Sequence, residues 1–385
     1  MPPAPVWIRT PDELTALGRQ LAGIDALALD TEADSLHHYP ERLCLLQVAD
    51  AHDHVYLVDP LALPDLEPLR PLCADPATLK VLHSAENDLG HLKRRCGFAF
   101  ARISDTMLAA RFLGVRALGL DALLERYLGV KPIPSQQKAD WARRPLTPVQ
   151  EVYAVEDVRH LIALNAHLVA ELRAVGREAW LAEECEELAA QPVVERTTDE
   201  NGYRRLRGAS RLDPRGLTVL RVLHEQREAW ARAERRPPFK VLSPETLVAL
   251  ASGRPGARTA LTGIPGLTPR LVERYGEGIL DAVARGLAEP LVAEPRPERR
   301  RRPIVPAAVQ QRAEALRHWR AGAAERTGLD PGVLLPQRLI DALAAAPPVD
   351  LPALGDVPGL RRWRAGAFGP EILTVLGAGR GHHLA

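Results

Sequence analysis

Aromatic residues are scarce in this 385-residue chain, with five Phe, six Tyr and six Trp making up 4% of it. So few rings exclude a surface covered with base-stacking platforms, and leave Arg–phosphate contacts as the expected mode of any nucleic-acid binding. The four cysteines, Cys44, Cys73, Cys96 and Cys185, form no C-x-x-C pair. That spacing excludes the usual structural zinc site and fits a reducing cytoplasm. No run of about 18 apolar residues occurs, so no membrane-spanning helix and no membrane partner is expected. The opening Met1-Pro2-Pro3-Ala4-Pro5 has neither the basic nor the apolar part of a secretory signal, and a soluble, cytoplasmic protein is expected. A phosphate-binding G-x-x-x-x-G-K-[ST] loop is also missing, which excludes an ATP-driven helicase of that type.

What is present is unevenly distributed. The net charge of +1 hides 20 Lys+Arg against 31 Asp+Glu in residues 1–200, and 30 against 18 in residues 201–385. The halves thus carry −11 and +12, which suggests a metal-dependent acidic head joined to a polyanion-binding tail. The length allows two or three domains.

Apolar runs predict strands at Ala26–Asp30, Leu43–Ala49, His54–Val58 and Leu79–His83, the middle two joined by the polar tetrad Asp50–Asp53. Helical periodicity follows at Glu86–Arg95, Asp105–Phe112 and Leu120–Tyr127. It resumes over Val149–Ala170, read as one long helix with Pro148 at its start. Strands followed by helices predict an α/β or α+β domain around a mixed sheet.

No strand is predicted beyond about residue 205, and an internal repeat takes over at an offset of 93 residues. Ile264-Pro265-Gly266-Leu267 returns as Val357-Pro358-Gly359-Leu360, Tyr275-Gly276 as Phe368-Gly369, and Ile279-Leu280 as Ile372-Leu373. Leu250 pairs with Leu343, Leu261 with Leu354 and Gly286 with Gly379. Shared positions that are apolar or Gly indicate duplicated core packing, hence two small helical domains. The basic Pro295–Pro303 stretch between them reads as a linker.

Four carboxylates carry the chemistry. Asp30 and Glu32 lie two apart on a predicted strand and so share one face. Asp88 stands on a helix, and Asp157 follows Tyr153 by one helical turn. Several oxygen ligands converging on one pocket are what a pair of divalent cations requires. A phenol with an ordinary pKa near 10 is a poor base, so Tyr153 is expected to position a water rather than deprotonate it.

These segments resemble the ribonuclease D family of the DEDD exonuclease superfamily, in its Tyr-type branch. The resemblance is carried by Leu29–Glu32, Tyr39-Pro40-x-x-Leu43–Gln47, Val81-Leu82-His83-x-x-x-Asn87-Asp88-Leu89 and Asp105–Arg111. It continues in Asp140-Trp141-x-x-Arg144-Pro145-Leu146 and in Tyr153-Ala154-x-x-Asp157-Val158-Arg159. It implies a ribonuclease H-like mixed-sheet exonuclease domain over residues 1–195, with Asp30, Glu32, Asp88 and Asp157 binding two Mg²⁺ or Mn²⁺ ions and Tyr153 aligning the attacking water. Both repeat copies resemble the helicase-and-RNase-D C-terminal (HRDC) domain, over residues 205–290 and 305–385, the second more divergent in its first helix. A basic linker at 291–304 separates them.

The activity implied is 3′→5′ trimming of RNA with a single-stranded 3′ end, tRNA precursors above all, with no obligate protein partner. The acidic head carries every metal ligand and is expected to stay active without residues 205–385. Thr31, His37, Asn87, Gln137 and Arg144 are candidate substrate contacts. His37-His38-Tyr39 reads equally as a polar loop, Asp140 as part of a catalytic loop, and Trp141 as packing. Arg204–Arg207, Arg299–Arg302 and Arg361–Arg364 are candidate RNA contacts. A DNA exonuclease and a non-catalytic nucleic-acid scaffold are the alternatives from the same residues.

Overall fold

The computed structural model describes residues 3–193, 201–292 and 305–378, so Arg299–Arg302, Gly379 and most of the basic linker lie outside the described residues. A six-stranded mixed sheet has the order β1-β4-β3-β2-β5-β6. Its strands are β1 (Val6–Ile8), β2 (Ala26–Ala33), β3 (Leu43–Asp50), β4 (Val55–Val58), β5 (Leu79–Leu82) and β6 (Ile103–Asp105). β2 pairs parallel with β5 and β5 with β6, while β3 and β4 form the expected antiparallel hairpin. The two edge strands β1 and β6 are additional to the four the apolar runs predict. At three residues each they are too short to show a period of two.

Helices α1 (Pro11–Gln20), α2 (Arg70–Ala74), α3 (Glu86–Cys96), α4 (Thr106–Phe112) and α5 (Leu120–Leu128) are interleaved with or follow the strands. The expected single helix from 149 to 170 is two helices, α6 (Pro148–Arg159) and α7 (Leu161–Ala174). His160 breaks it at φ −101°, ψ −3°. The break lets α6 lie on β3 and β4 while α7 turns to α4, α5 and β5, a tertiary demand that outweighs local periodicity. Thr147 and Gln150 form a reciprocal capping box that sets the start of α6, and with it the places of Tyr153 and Asp157. α8 (Glu178–Ala190) completes this run.

The repeat is structural as well as sequential. The first copy contains α9 (Pro214–Ala233), α10 (Pro238–Val241), α11 (Pro244–Gly253) and α12 (Pro269–Ala288). The second contains α13 (Ala307–Thr327), α14 (Pro331–Leu334), α15 (Gln337–Ala345), α16 (Leu351–Gly355) and α17 (Arg362–Ala378). Each of α9 to α12 begins 93 residues before α13, α14, α15 and α17 respectively. Gly266 and Gly359 occupy the same turn at φ +79° and +80°, a backbone conformation that favours glycine.

The chain packs as two compact units that do not follow chain order. One comprises residues 1–32, 43–193 and 304–385, the other residues 33–42 and 194–303. In the first unit, Leu316, Trp319, Trp363 and Phe368 of the second repeat share one buried cluster with Phe112 and Leu181. Trp363 stacks on Trp180 with ring centroids 4.5 Å apart, and Phe112 meets both edge-on. Glu183 accepts the backbone N–H groups of Arg362 (2.7 Å) and Trp363 (2.9 Å), and Glu184 accepts Trp363 Nε1–H (3.0 Å) and Arg364 Nη1–H (3.0 Å). Arg361 pairs with Glu184 and Glu187.

Two expectations change. Arg361 and Arg364 are engaged by the acidic helix α8 and not free for RNA, whereas the Arg362 side chain is 82% exposed beside Glu183 and Glu186. Removing the second repeat would strip Phe112, Trp180 and Leu181 of their cover, so an active head without residues 205–385 is not expected either. Trp363→Ala should cost about 3–5 kcal/mol of unfolding free energy. Chemical denaturation measures it, and a midpoint equal to wild type would show that this cluster does not brace the nuclease.

Candidate active site

Alternation along β2 places Asp30 and Glu32 on one face, and α6 brings Asp157 to them. One carboxylate oxygen from each of the three lies within 4.8 Å of the other two. Asp88, 5% exposed on α3, sits beside this triplet. Its Oδ1 accepts the Thr31 backbone N–H (3.0 Å) and the Thr31 hydroxyl (2.5 Å). α3 is positioned in turn by Asp105, whose carboxylate accepts Ser84 and Ala85 N–H before α3 and Met107 and Leu108 N–H at the start of α4.

The electrostatics of the group are severe. Burial first, then the charges of Asp30, Asp157 and Asp88, push Glu32 up to about 10. Burial and the Asp157 charge drive Asp30 well upward, and burial and the Asp30 charge do the same to Asp88. Asp157 is pushed up to about 7 by burial and neighbouring acids, against a hydrogen bond from Tyr153 that favours its charged form. Tyr153 is itself raised above the ordinary phenol range by burial and by Asp157, Glu32 and Asp30. It therefore keeps its proton and serves as a hydrogen-bond donor rather than a base. Half-buried to buried, convergent, hard oxygen donors with uncompensated negative charge fit a divalent cation, which would draw the carboxyl pKa values back down.

Several candidate residues have other duties. Thr31 is taken up by Asp88 and by His91 Nδ1 (3.0 Å), so its hydroxyl orients the Asp88 carboxylate instead of meeting substrate. Arg144 spends all its donors on Asp59 (2.6 and 2.8 Å) and on the carbonyls of Trp141, Arg143 and Cys44. It clamps the loop before α6 to the sheet and is not available to a phosphate. Asp140 likewise caps Ala142 and accepts Gln150 through its carbonyl. Trp141 is fully buried, as packing requires. Asn87 on the first turn of α3 and Gln137 in the loop after α5 are exposed, and His37 lies half-buried in the Ala33–Arg42 loop.

Sequence reasoning missed Gln47. It is fully buried on β3, its Nε2 donates to Asp30 Oδ2 at 3.3 Å, and its Oε1 has no partner among the described residues. An amide inside the otherwise apolar run Leu43–Ala49 was the available signal.

Comparison with known proteins agrees with this geometry. The family described as 3′-5′ exonuclease matches residues 5–173, and the HRDC domain matches residues 216–283 and 309–376. Ribonuclease D of Pseudomonas paraeruginosa is 33% identical over 379 residues, covering 96% of this chain and 97% of that protein. The chain belongs to the ribonuclease D family. Ribonuclease D of Gluconacetobacter diazotrophicus is 32% identical over 376 residues, 97% of this chain and 93% of that one. The crystal structure of Escherichia coli RNase D, an exoribonuclease involved in structured RNA processing, aligns with TM-score 0.70 at 27% identity. It covers 98% of this chain and 99% of that one. This ribonuclease D family member is accordingly a 3′-5′ exoribonuclease with two HRDC domains. No helix among the described residues is long and apolar enough to cross a membrane.

The raised carboxyl pKa values make a prediction with a definite sign. A carboxyl raised on folding contributes stability below its unfolded pKa, and that contribution is lost as pH rises through the folded value. With divalent ions chelated, the melting temperature should fall as pH climbs from about 4 through 7, where Asp157 deprotonates, toward 10 for Glu32. Added Mg²⁺ should flatten the decline and Asp157→Asn should lessen it. A chelated protein whose melting temperature does not fall over this range would disprove the charge repulsion described.

Proposed function

We propose that this exoribonuclease trims the single-stranded 3′ ends of RNA, tRNA precursors in particular, one nucleotide at a time with a pair of divalent cations. The observation that carries the reading is the triplet of Asp30, Glu32 and Asp157 oxygens with the protonated Tyr153 donating to Asp157. Asp30, Glu32, Asp157 and Asp88 would hold the ions, Mg²⁺ or Mn²⁺. Cations bound there supply an acidified water and counter-charge for the departing 3′ oxygen.

The protein's own groups do the positioning. Tyr153 keeps its proton and orients the attacking water by hydrogen bonding. Thr31 and Gln47 hold Asp88 and Asp30 in place, and the released product would be a nucleoside 5′-monophosphate. Asn87, Gln137 and His37 remain candidate contacts to the 3′-terminal nucleotides, and the first helical repeat is the candidate grip on the body of the RNA. Free cysteines in all four positions suit action in the cytoplasm, and no obligate protein partner is proposed.

The test is a 5′-labelled hairpin RNA with an unpaired 3′ tail, compared with the same RNA blocked by a 3′-phosphate and with matched DNA. A single-nucleotide ladder that stops near the stem, requires divalent ions and is absent for the blocked RNA is expected. Asp30→Asn and Asp157→Asn should reduce it to background, because each removes an anionic ligand. Tyr153→Phe should slow it about a hundredfold, by misplacing the water, with metal affinity unchanged. Internal fragments that precede the ladder, or efficient digestion of the blocked RNA, would overturn the reading.

A further inference from the structure

Among the described Trp, Tyr and Phe side chains only Phe239 is exposed, at 48%. It stands on α10 in the stretch Arg235-Arg236-Pro237-Pro238-Phe239-Lys240, where two prolines stiffen the backbone that presents it. Arg235 and Lys240 on either side are exposed, and neither has an ion-pair partner among the described residues. Arg236 holds the turn from behind, paired with Glu234 at 3.5 Å and donating to the Lys240 carbonyl at 3.3 Å.

The internal repeat shows what this turn looks like when it has another use. The equivalents of Arg235, Phe239 and Lys240, 93 residues on, are Gly328, Gly332 and Val333. Gly328 has φ +69° and Arg235 has φ +52°, so both copies need a left-handed residue at this point. The second copy meets the need with glycine, whereas the first sets an arginine there against its backbone preference. In the second copy the turn is packed on the nuclease domain. The Thr327 carbonyl accepts Arg177 Nη2–H at 3.0 Å, and Gly328 lies against Gly114. In the first copy the turn instead displays one ring between two cations.

The loop that leaves the sheet after Glu32 is fastened to the same place. Tyr39 donates its backbone N–H to the Arg235 carbonyl (3.3 Å) and its hydroxyl to Glu228 (2.7 Å). Both contacts lie within the second unit.

We propose that Phe239, Arg235 and Lys240 form a binding site for unpaired RNA, with a nucleobase stacked on the Phe239 ring and the flanking phosphates on Arg235 and Lys240. A ring face accepts any base, and the cations read only the backbone, so the site grips a strand without selecting sequence. The inference rests on the first repeat being the RNA grip and names the residues that do the gripping.

The test measures binding of a short fluorescent single-stranded RNA to the full-length protein by anisotropy, with divalent ions chelated so that nothing is cleaved. Phe239→Ala should weaken binding about tenfold or more, and Phe239→Tyr should restore it. Lys240→Ala, and Arg235→Gly with its unstrained backbone, should each lower the slope of log affinity against log salt by about 0.7. A matched RNA with abasic nucleotides should bind wild type no better than the intact RNA binds Phe239→Ala. If wild type fails to bind the intact RNA, the first repeat is not the grip and both readings fall. If wild type binds and Phe239→Ala matches it within about twofold, the Phe239 site alone is wrong.

Discussion

Four carboxyl groups held together largely out of water repel one another, and much of the surrounding structure is explained by that repulsion. Asp88 is steadied by two donors from Thr31, Asp30 by the amide of Gln47, and Asp157 by the hydroxyl of Tyr153. Hydrogen bonds of this kind favour the charged form but do not cancel the burial of several like charges. The result is a site organised by the protein whose donors fit a divalent cation. Such a site stores a demand for positive charge that a phosphodiester backbone, itself anionic, cannot meet alone.

Duplication supplied two copies of one helical module, and the copies have been put to different work. In the second, small residues and an acid-facing arginine cluster turn the module into a wall of the nuclease core, with Trp363 against Trp180 and Arg364 against Glu184. In the first, the equivalent of the Thr327-Gly328 turn, which in the second copy meets Arg177 and Gly114, carries Arg235, Phe239 and Lys240 into solvent. The lopsided charge of the chain therefore overstates the surface left for RNA, because part of the basic half neutralises Glu183, Glu184 and Glu187 of α8.

The loop between β2 and β3 leaves the sheet two residues past Glu32 and packs with the first repeat rather than with the sheet. Asp34, fully buried, closes its neck by accepting Arg42 through backbone and guanidinium donors. Chain connectivity alone thus ties the strand holding two candidate metal ligands to the module that is the candidate grip on RNA.

The four carboxylates, the tyrosine and the 93-residue repeat were legible in the sequence because each rests on a short period. Positions two apart share a strand face, positions four apart share a helix face, and a duplicated core repeats its glycines and leucines. The hairpin and most of the helices were legible for the same reason. Partnership was not. Nothing local distinguishes Arg144, saturated by Asp59 and three carbonyls, from an arginine waiting for phosphate, nor Arg361–Arg364 from a free basic run. The break at His160, the edge strands, the role of Gln47 and the use of each repeat's turn were likewise decided by residues about 20 to more than 200 positions away in the chain. Sequence periodicity determines which side chains can share a face. Which charges on that face are already satisfied depends on long-range packing, and only the tertiary structure decides it.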